Sequence, residues 1–247
     1  MQARKILILG GTRDARQLAF RLIHAGHDVT TSFAGVTEHP VQPEGKVRVG
    51  GFGGVEGLRQ YLKAENIDVL VDATHPFAAI ISANAAAASG DVVLLRLERP
   101  AWTAKPEDRW MEVADIDAAV LALPINASVM LTIGRKEIAP FTARIDLSGV
   151  ARMIEPTTVH LTQSWKLILE RPPFSLESEI ALLRDHEITY LVSKNAGGSE
   201  TETKLVAARI LQIPVVMIAR PHKPMVTTYS SVEGINTHIS KLGSSAS

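Results

Sequence analysis

The 247-residue chain predicts an α/β protein of two domains, each a parallel β-sheet covered by helices on both faces. Three observations carry this. Short β-branched or Leu-rich runs alternate with longer amphipathic segments along almost the whole length. The alternation is interrupted once, by the Pro- and charge-bearing stretch RPAWTAKPEDRW (99–110), and then restarts. A hydrophobic content of 46% allows a chain of this length to bury a sizeable core. The domains are accordingly placed at 1–100 and 101–247.

In the first domain, KILILG (5–10) reads as a strand. The next segment carries Ala15, Leu18, Ala19, Leu22 and Ile23 at helical spacing, and Gly26 ends that helix. DVTTSFA (28–34) and KVRVGG (46–51) read as strands, GVEGLRQYLKAEN (54–66) as a helix and IDVLVDAT (67–74) as a buried strand. PFAAIISANAAAASG (76–90) reads as a helix with Pro76 in its first turn, and VVLLRLERP (92–100) as a strand. The second domain continues with strands in WMEVAD, ASVMLTIG, ARMIEP, SWKLILERPP, ITYLVSK and IPVVMIARP. Its helices fall at 116–123 and in RKEIAPFTA, SLESEIALLRDHE and ETKLVAARILQ. The two halves share architecture without a sequence period. Ligands of open α/β sheets bind beyond the carboxyl ends of the strands, so a cleft between two such ends is the expected site.

Composition excludes several classes. Lys plus Arg (26) equals Asp plus Glu (26), so no global field draws the chain to nucleic acid or to an anionic membrane, and any anion binding must be local. Without cysteine there are no disulfides, thiolate metal sites or cysteine nucleophiles. No apolar run approaches about 18 residues, so no membrane span is predicted and a cytoplasmic protein is expected. Seven histidines, at 24, 27, 39, 160, 186, 222 and 238, show no metal-ligand spacing, and no metal site is predicted.

The chemistry is concentrated at strand ends. In GGTRDA, Gly10 fills the first place of a dinucleotide fingerprint, Thr12 stands where the second glycine belongs, and Ala15 fills the third. Gly10 and Gly11 can still expose backbone N–H groups and a helix start to phosphate, with the Thr12 hydroxyl and the Arg13 side chain as added donors. The competing reading is a tight turn without a ligand. Ser32, Ala34 and Gly35 close the second strand, and no acid follows before Glu38; an NAD site wants Asp or Glu there, so NADPH is favoured over NADH. Asp72, Thr74 and His75 sit where a buried strand runs out; His75 could be an acid, a hydrogen-bond donor or only part of a helix end.

In the second half, TIGRKE places Arg135 and Lys136 at a helix start, where a cation is disfavoured unless an anion is near. SKNAGGSETETK gathers Lys194, Asn195, Gly197 and Gly198 into a plausible anion cradle; the alternative is an ordinary loop with solvated charges. Tyr190 and Lys194 match the Tyr-x-x-x-Lys spacing of short-chain dehydrogenases. That chemistry needs one helical face, whereas ITYLVS reads as a strand, in which residues four apart lie about 13 Å from each other.

The blocks ILGGTRDARQLA, DATHPFA, RLERPAW, TIGRKE, ERPPFSLESE and LVSKNAGGSETETKLVAAR together resemble the precorrin-6A reductase family of cobalamin biosynthesis, over about residues 4–220. The resemblance implies two Rossmann-like domains, with NADPH on the first and a tetrapyrrole, precorrin-6A, as the substrate partner. It implies reduction of the C18=C19 double bond, hydride going to C19 and a proton to C18, with Gly10, Gly11, Thr12, Arg13, Ser32, Ala34 and Gly35 expected to hold NADPH and Thr74 and His75 to border the nicotinamide. The acetate and propionate groups of such a macrocycle would explain local cations on a neutral protein, with Arg96, Arg99, Arg135, Lys136 and Arg220 as candidates beside Asn195, Gly197 and Gly198. His75 and Lys194 are the candidate proton donors, with bulk water as the alternative. A cobalt-containing substrate and a non-catalytic nucleotide-binding module remain open. A monomer is expected.

Overall fold

A computed structural model describes residues 3–33 and 43–242, which form two compact units, one from the described residues up to 100 and from 222 onward, the other from 101–221. The first unit contains β1 (Lys5–Leu9), α1 (Arg13–His24), β2 (Asp28–Phe33), β3 (Lys46–Val49), α2 (Gly54–Ala64), β4 (Val69–Asp72), α3 (Ala79–Ala88) and β5 (Val93–Leu97). The second contains β6 (Trp110–Val113), α4 (Ile116–Ala122), β7 (Ser128–Thr132), α5 (Ala139–Thr142), β8 (Ser148–Met153), β9 (Trp165–Leu169), α6 (Leu176–Asp185), β10 (Tyr190–Lys194), α7 (Thr203–Ile210) and β11 (Val215–Ile218). The chain then returns to the first unit with β12 (Thr227–Tyr229) and α8 (Val232–Lys241).

Sheet order in the first unit is β3-β2-β1-β4-β5-β12, parallel throughout. The order reverses between β1 and β4, which opens a crevice at their carboxyl ends. Ile6, Ile8 and Val29 pack under α1 and α8, whereas Leu7, Leu9 and Leu70 pack under α2 and α3; alternate residues of one strand thus serve opposite layers. In the second unit the order is β6-β11-β10-β7-β8-β9, again all parallel, with the reversal between β7 and β10. Tyr190 and Lys194 lie on strand β10, so their Tyr-x-x-x-Lys spacing has no helical face to act from.

The expectation of a second domain running from 101 to 247 is corrected at its end. β12 extends the first sheet beyond β5, pairing Thr227 with Leu95 and Tyr229 with Leu97. Val232, Ile235 and Ile239 of α8, spaced at i, i+3 and i+7, enter the core against α1. The strand has only three residues, too few for its period to be read. No helix among the described residues is long and apolar enough to cross a membrane.

Candidate functional site

The turn from β1 into α1 lies at the reversal of the first sheet. Gly10 donates its N–H to the Ser32 carbonyl at 2.9 Å, and a Cβ there would come within 2.8 Å of Thr31 Cγ2, so close strand packing requires glycine. Gly11 has φ +111°, a left-handed conformation, and no described atom lies within 4 Å of where its Cβ would be. Its backbone therefore borders open space. Thr12 differs from the expected phosphate donor. Its hydroxyl caps α1 by accepting from Ala15 N at 3.0 Å and donates to the Ala73 carbonyl at 2.9 Å, so its one proton is already committed. The residue in place of the second fingerprint glycine thus joins the β1 and β4 turns across the crevice.

Arg13 is exposed at the first position of α1, and Arg99 Nη1 reaches Asp14 Oδ2 in the same first turn at 3.4 Å. Arg99, expected on the substrate, stands beside the glycine turn instead. An open glycine backbone, the start of a 12-residue helix and two flanking guanidinium groups fit the phosphates of a dinucleotide. Ser32 is buried, 5% exposed, and register with Leu9 places it on the α2–α3 face rather than with Gly10. The expectation that its hydroxyl meets the cofactor is therefore corrected: the period-2 alternation turns it into the sheet interior. Ala34 and Gly35 lie outside the described residues.

Beyond β4, Asp72 is 1% exposed and accepts from Thr74 Oγ1 at 2.7 Å, from Thr74 N at 3.3 Å and from Arg96 Nε at 3.1 Å. Burial opposes its ionisation, but the Thr74 hydroxyl, the nearby Ser82 hydroxyl, the charge of Lys223 and the Arg96 hydrogen bond prevail, holding the carboxyl below its ordinary range. Thr74, 9% exposed, has its hydroxyl directed to Asp72. Arg96, 5% exposed, is bound to Asp72 and to the Pro224 carbonyl at 2.9 Å. Neither presents the free group expected of it, because both complete the environment of one buried carboxylate. His75 is exposed, and its Nδ1 accepts from Phe77 N at 3.3 Å. In the neutral ring the proton then sits on Nε2, a hydrogen-bond donor. Helix α3 begins at Ala79, so Pro76 lies in the turn before it rather than in its first turn.

In the second unit, Arg135 and Lys136 precede α5 instead of opening it; the helix starts at Ala139 and has four residues. Neither cation therefore sits on a helix start, and no nearby anion is needed to offset one. Arg135 contacts Glu155 at 3.6 Å and the Pro156 carbonyl at 3.2 Å, and Arg171, after β9, reaches the same Glu155 at 3.7 Å. Lys136 is exposed. Lys194, at the reversal of the second sheet, forms an ion pair with Glu137 and keeps 14% side-chain exposure.

The amide of Asn195 is occupied: Oδ1 accepts from Trp102 N at 2.8 Å and Nδ2 donates to Trp102 O at 3.0 Å, so it braces the backbone instead of offering donors to a ligand. Gly197 and Gly198, with φ 69° and 84°, turn the loop so that the Gly198 carbonyl receives Trp102 Nε1 at 2.9 Å. Arg220 donates Nε to the Asn195 carbonyl at 2.8 Å and Nη2 to the Ala196 carbonyl at 3.1 Å, bracing the same loop. In the cradle foreseen from the sequence, Asn195 and Arg220 brace the loop and Trp102, whereas Lys194 pairs outside it with Glu137. Among the described residues no group of three His, Cys, Asp or Glu is placed to hold a metal ion.

Sequence reasoning missed Lys223, Glu98, Glu137, Arg171 and Trp102. Glu98, Trp102, Glu137 and Arg171 lie inside the conspicuous blocks RLERPAW, TIGRKE and ERPPFSLESE, but residue type alone does not distinguish them from solvated neighbours. Lys223 carried no signal, because its role depends on the return of the chain to the first unit.

Two parallel sheets ordered about a central reversal, with a glycine turn and helix start at the first reversal, define a Rossmann-type α/β protein of the dinucleotide-binding class. A family model described as precorrin-6x reductase CbiJ/CobK matches residues 5–240. A precorrin-6A reductase of Rhodococcus erythropolis is 44% identical over 235 residues, spanning 93% of this chain and 95% of its own. A cobalt-precorrin-6A reductase of Priestia megaterium is 31% identical over 248 residues, spanning 93% and 96%. A solved structure of CobK precorrin-6A reductase, 41% identical, matches with a TM-score of 0.91 over 97% of both chains. The chain belongs to the precorrin-6x reductase family.

Proposed function

We propose that this chain is an NADPH-dependent reductase of precorrin-6A, forming precorrin-6B in cobalamin biosynthesis. The observation that carries the reading is the β1–α1 turn: in a member of this family, an open glycine backbone flanked by Arg13 and Arg99 offers a dinucleotide phosphate site at the reversal of the sheet. NADPH when bound supplies a hydride for one carbon–carbon double bond of the macrocycle. The protein's part is orientation and exclusion of water. Gly10, Gly11 and Arg13 hold the phosphates, and the Thr12 bridge to Ala73 keeps the β1 and β4 turns in register. His75 stands at the neighbouring turn with Nε2–H as a donor towards the reacting pair. In the second unit, Arg135, Lys136, Arg171 and Lys194 offer cations to substrate carboxylates. The absence of cysteine fits a reducing, cytoplasmic setting.

Metal-free precorrin-6A is favoured over its cobalt form because five relatives named precorrin-6A reductase are 42–46% identical, against 31% for the cobalt-precorrin-6A reductase of Priestia megaterium. The test presents precorrin-6A and cobalt-precorrin-6A in parallel to the purified protein with NADPH under anaerobic conditions, with products weighed by mass spectrometry. A product heavier by one hydride and one proton, formed faster from the metal-free ring, is expected. Reduction of the cobalt form alone would reassign the substrate, and reduction of neither would end the proposal.

A further inference from the structure

Four charged side chains are sunk around the carboxyl ends of β4 and β5. Asp72 and Arg96 stand opposite each other in register and pair at 3.1 Å, with side chains 1% and 7% exposed. Lys223 Nζ donates to Glu98 Oε2 at 2.7 Å, with side chains 7% and 18% exposed. Desolvation makes such pairs weak sources of stability, and apolar residues of similar volume often match them. Their placement, rather than their energy, distinguishes them.

The first three residues after β4 are tied to this cluster or to the β1–α1 turn. Ala73 gives its N–H to the Leu9 carbonyl and receives Thr12 Oγ1. Thr74 is bound to Asp72 through both N and Oγ1. The His75 carbonyl accepts from Ala78 N at 2.8 Å, and Lys223 Nζ lies 3.5 Å from the same oxygen. Pro224, the next residue along, offers its carbonyl to Arg96, which in turn holds Asp72. Lys223 and Pro224 both arrive on the segment leading into β12, after the chain has completed the second unit. The segment that finishes the first sheet thus also closes the clamp on the turn that carries His75.

We infer that Lys223 is a positioning residue: anchored on Glu98, its ammonium group holds the His75 carbonyl and thereby fixes where the imidazole presents Nε2. This rests on the reading of His75 as a donor towards the reacting pair, and it adds a residue from outside every conspicuous motif. With its side chain 7% exposed and directed to Glu98 and the His75 carbonyl, Lys223 acts through the backbone of His75.

The test is a double-mutant cycle on the full chain, with Lys223→Met, His75→Ala and the two combined, followed by NADPH oxidation with precorrin-6A. Lys223→Met is expected to lower kcat by about tenfold or more while leaving KM for the tetrapyrrole within about twofold. Lys223→Arg, which can keep both contacts, should restore most of the loss. In the His75→Ala background, Lys223→Met should cause no further loss, because its effect passes through that imidazole. Glu98→Gln, which keeps the shape of the anchor but not its charge, should reproduce part of the loss, and replaces Lys223→Met in the cycle if the latter does not fold. Losses that multiply in the double variant, or a His75→Ala enzyme with unchanged kcat, would overturn the positioning role. A wild-type protein that oxidises no NADPH with precorrin-6A would instead overturn the proposed function, so the two failures are distinguishable.

Discussion

Replacing Thr12 by valine keeps the volume and β-branching of the side chain and removes only the hydroxyl that serves two turns at once. One loss is the cap on α1, the bond accepted from Ala15 N at 3.0 Å, worth about 1 kcal/mol at a helix N-cap. The other is the donor to the carbonyl of Ala73, a residue 1% exposed; loss of one hydrogen bond at a buried acceptor costs about 1 kcal/mol or somewhat more. The sum, roughly 2 kcal/mol, should appear as a lower urea midpoint at unchanged m-value. Serine retains the hydroxyl and should stay within about 0.5 kcal/mol of wild type. Glycine, the usual fingerprint residue, is a tolerable cap but cannot reach Ala73, so it should fall between the two. The assay is equilibrium urea unfolding followed by circular dichroism. A valine variant as stable as wild type, or a serine variant as unstable as valine, would show that the hydroxyl does not bridge the turns.

Other consequences are equally open to measurement. His27 Nδ1 accepts from Arg4 N while Nε2 is buried with no partner among the described residues; burial first, then the charge of Arg4, holds its pKa below the ordinary value. The unfolded chain therefore takes up this proton at a higher pH than the folded one, so stability is full above about pH 6.5 and declines as the pH falls through that value. His27→Asn should flatten this slope in urea midpoints measured between about pH 7.5 and 5.5, and an unchanged slope would show that His27 is not its source. In the second unit Arg152 pairs with Glu179 at 2.7 Å, with side chains 6% and 0% exposed, and its guanidinium lies 3.8 Å above Phe174. Glu179→Ala should cost about 3 kcal/mol by stranding a buried cation, and Arg152→Met with Glu179→Leu should recover most of it; a single variant within about 1 kcal/mol of wild type would contradict this. Lys194→Ala should raise KM for the tetrapyrrole and leave NADPH affinity nearly unchanged, whereas a loss confined to NADPH would move the β10 loop to the cofactor.

Most of the fold was legible because both sheets are parallel and buried on both faces, so their strands read as short continuous apolar runs between amphipathic helices. KILIL, VLVD and VVMI left little choice, and Gly26 marked a helix end where the structure has it. The misses have particular causes. α5 and α3 begin later than expected because a turn containing polar residues intervenes after each strand, which neither propensity nor spacing registers. α8 has a clear apolar stripe, but nothing in a linear pattern says which sheet it covers. For the site, a linear pattern places polar side chains at strand ends but does not say which partners they take there. Thr12, Arg96 and Asn195 are each committed to another part of the protein through a partner far away in sequence, and Thr74 is turned back onto Asp72, two residues before it. Ser32 failed for a different reason: a one-residue step along a strand exchanges the crevice for the interior.

The most direct measurement is a fluorescence titration of the purified protein with NADPH and with NADH, followed by anaerobic addition of precorrin-6A while the nicotinamide absorbance is recorded. NADPH should bind more tightly than NADH, and its absorbance should fall only once the tetrapyrrole is present. Binding of neither nucleotide would mean that the Gly10–Gly11 turn is a structural corner, and binding without oxidation in the presence of precorrin-6A would contradict the reductase itself.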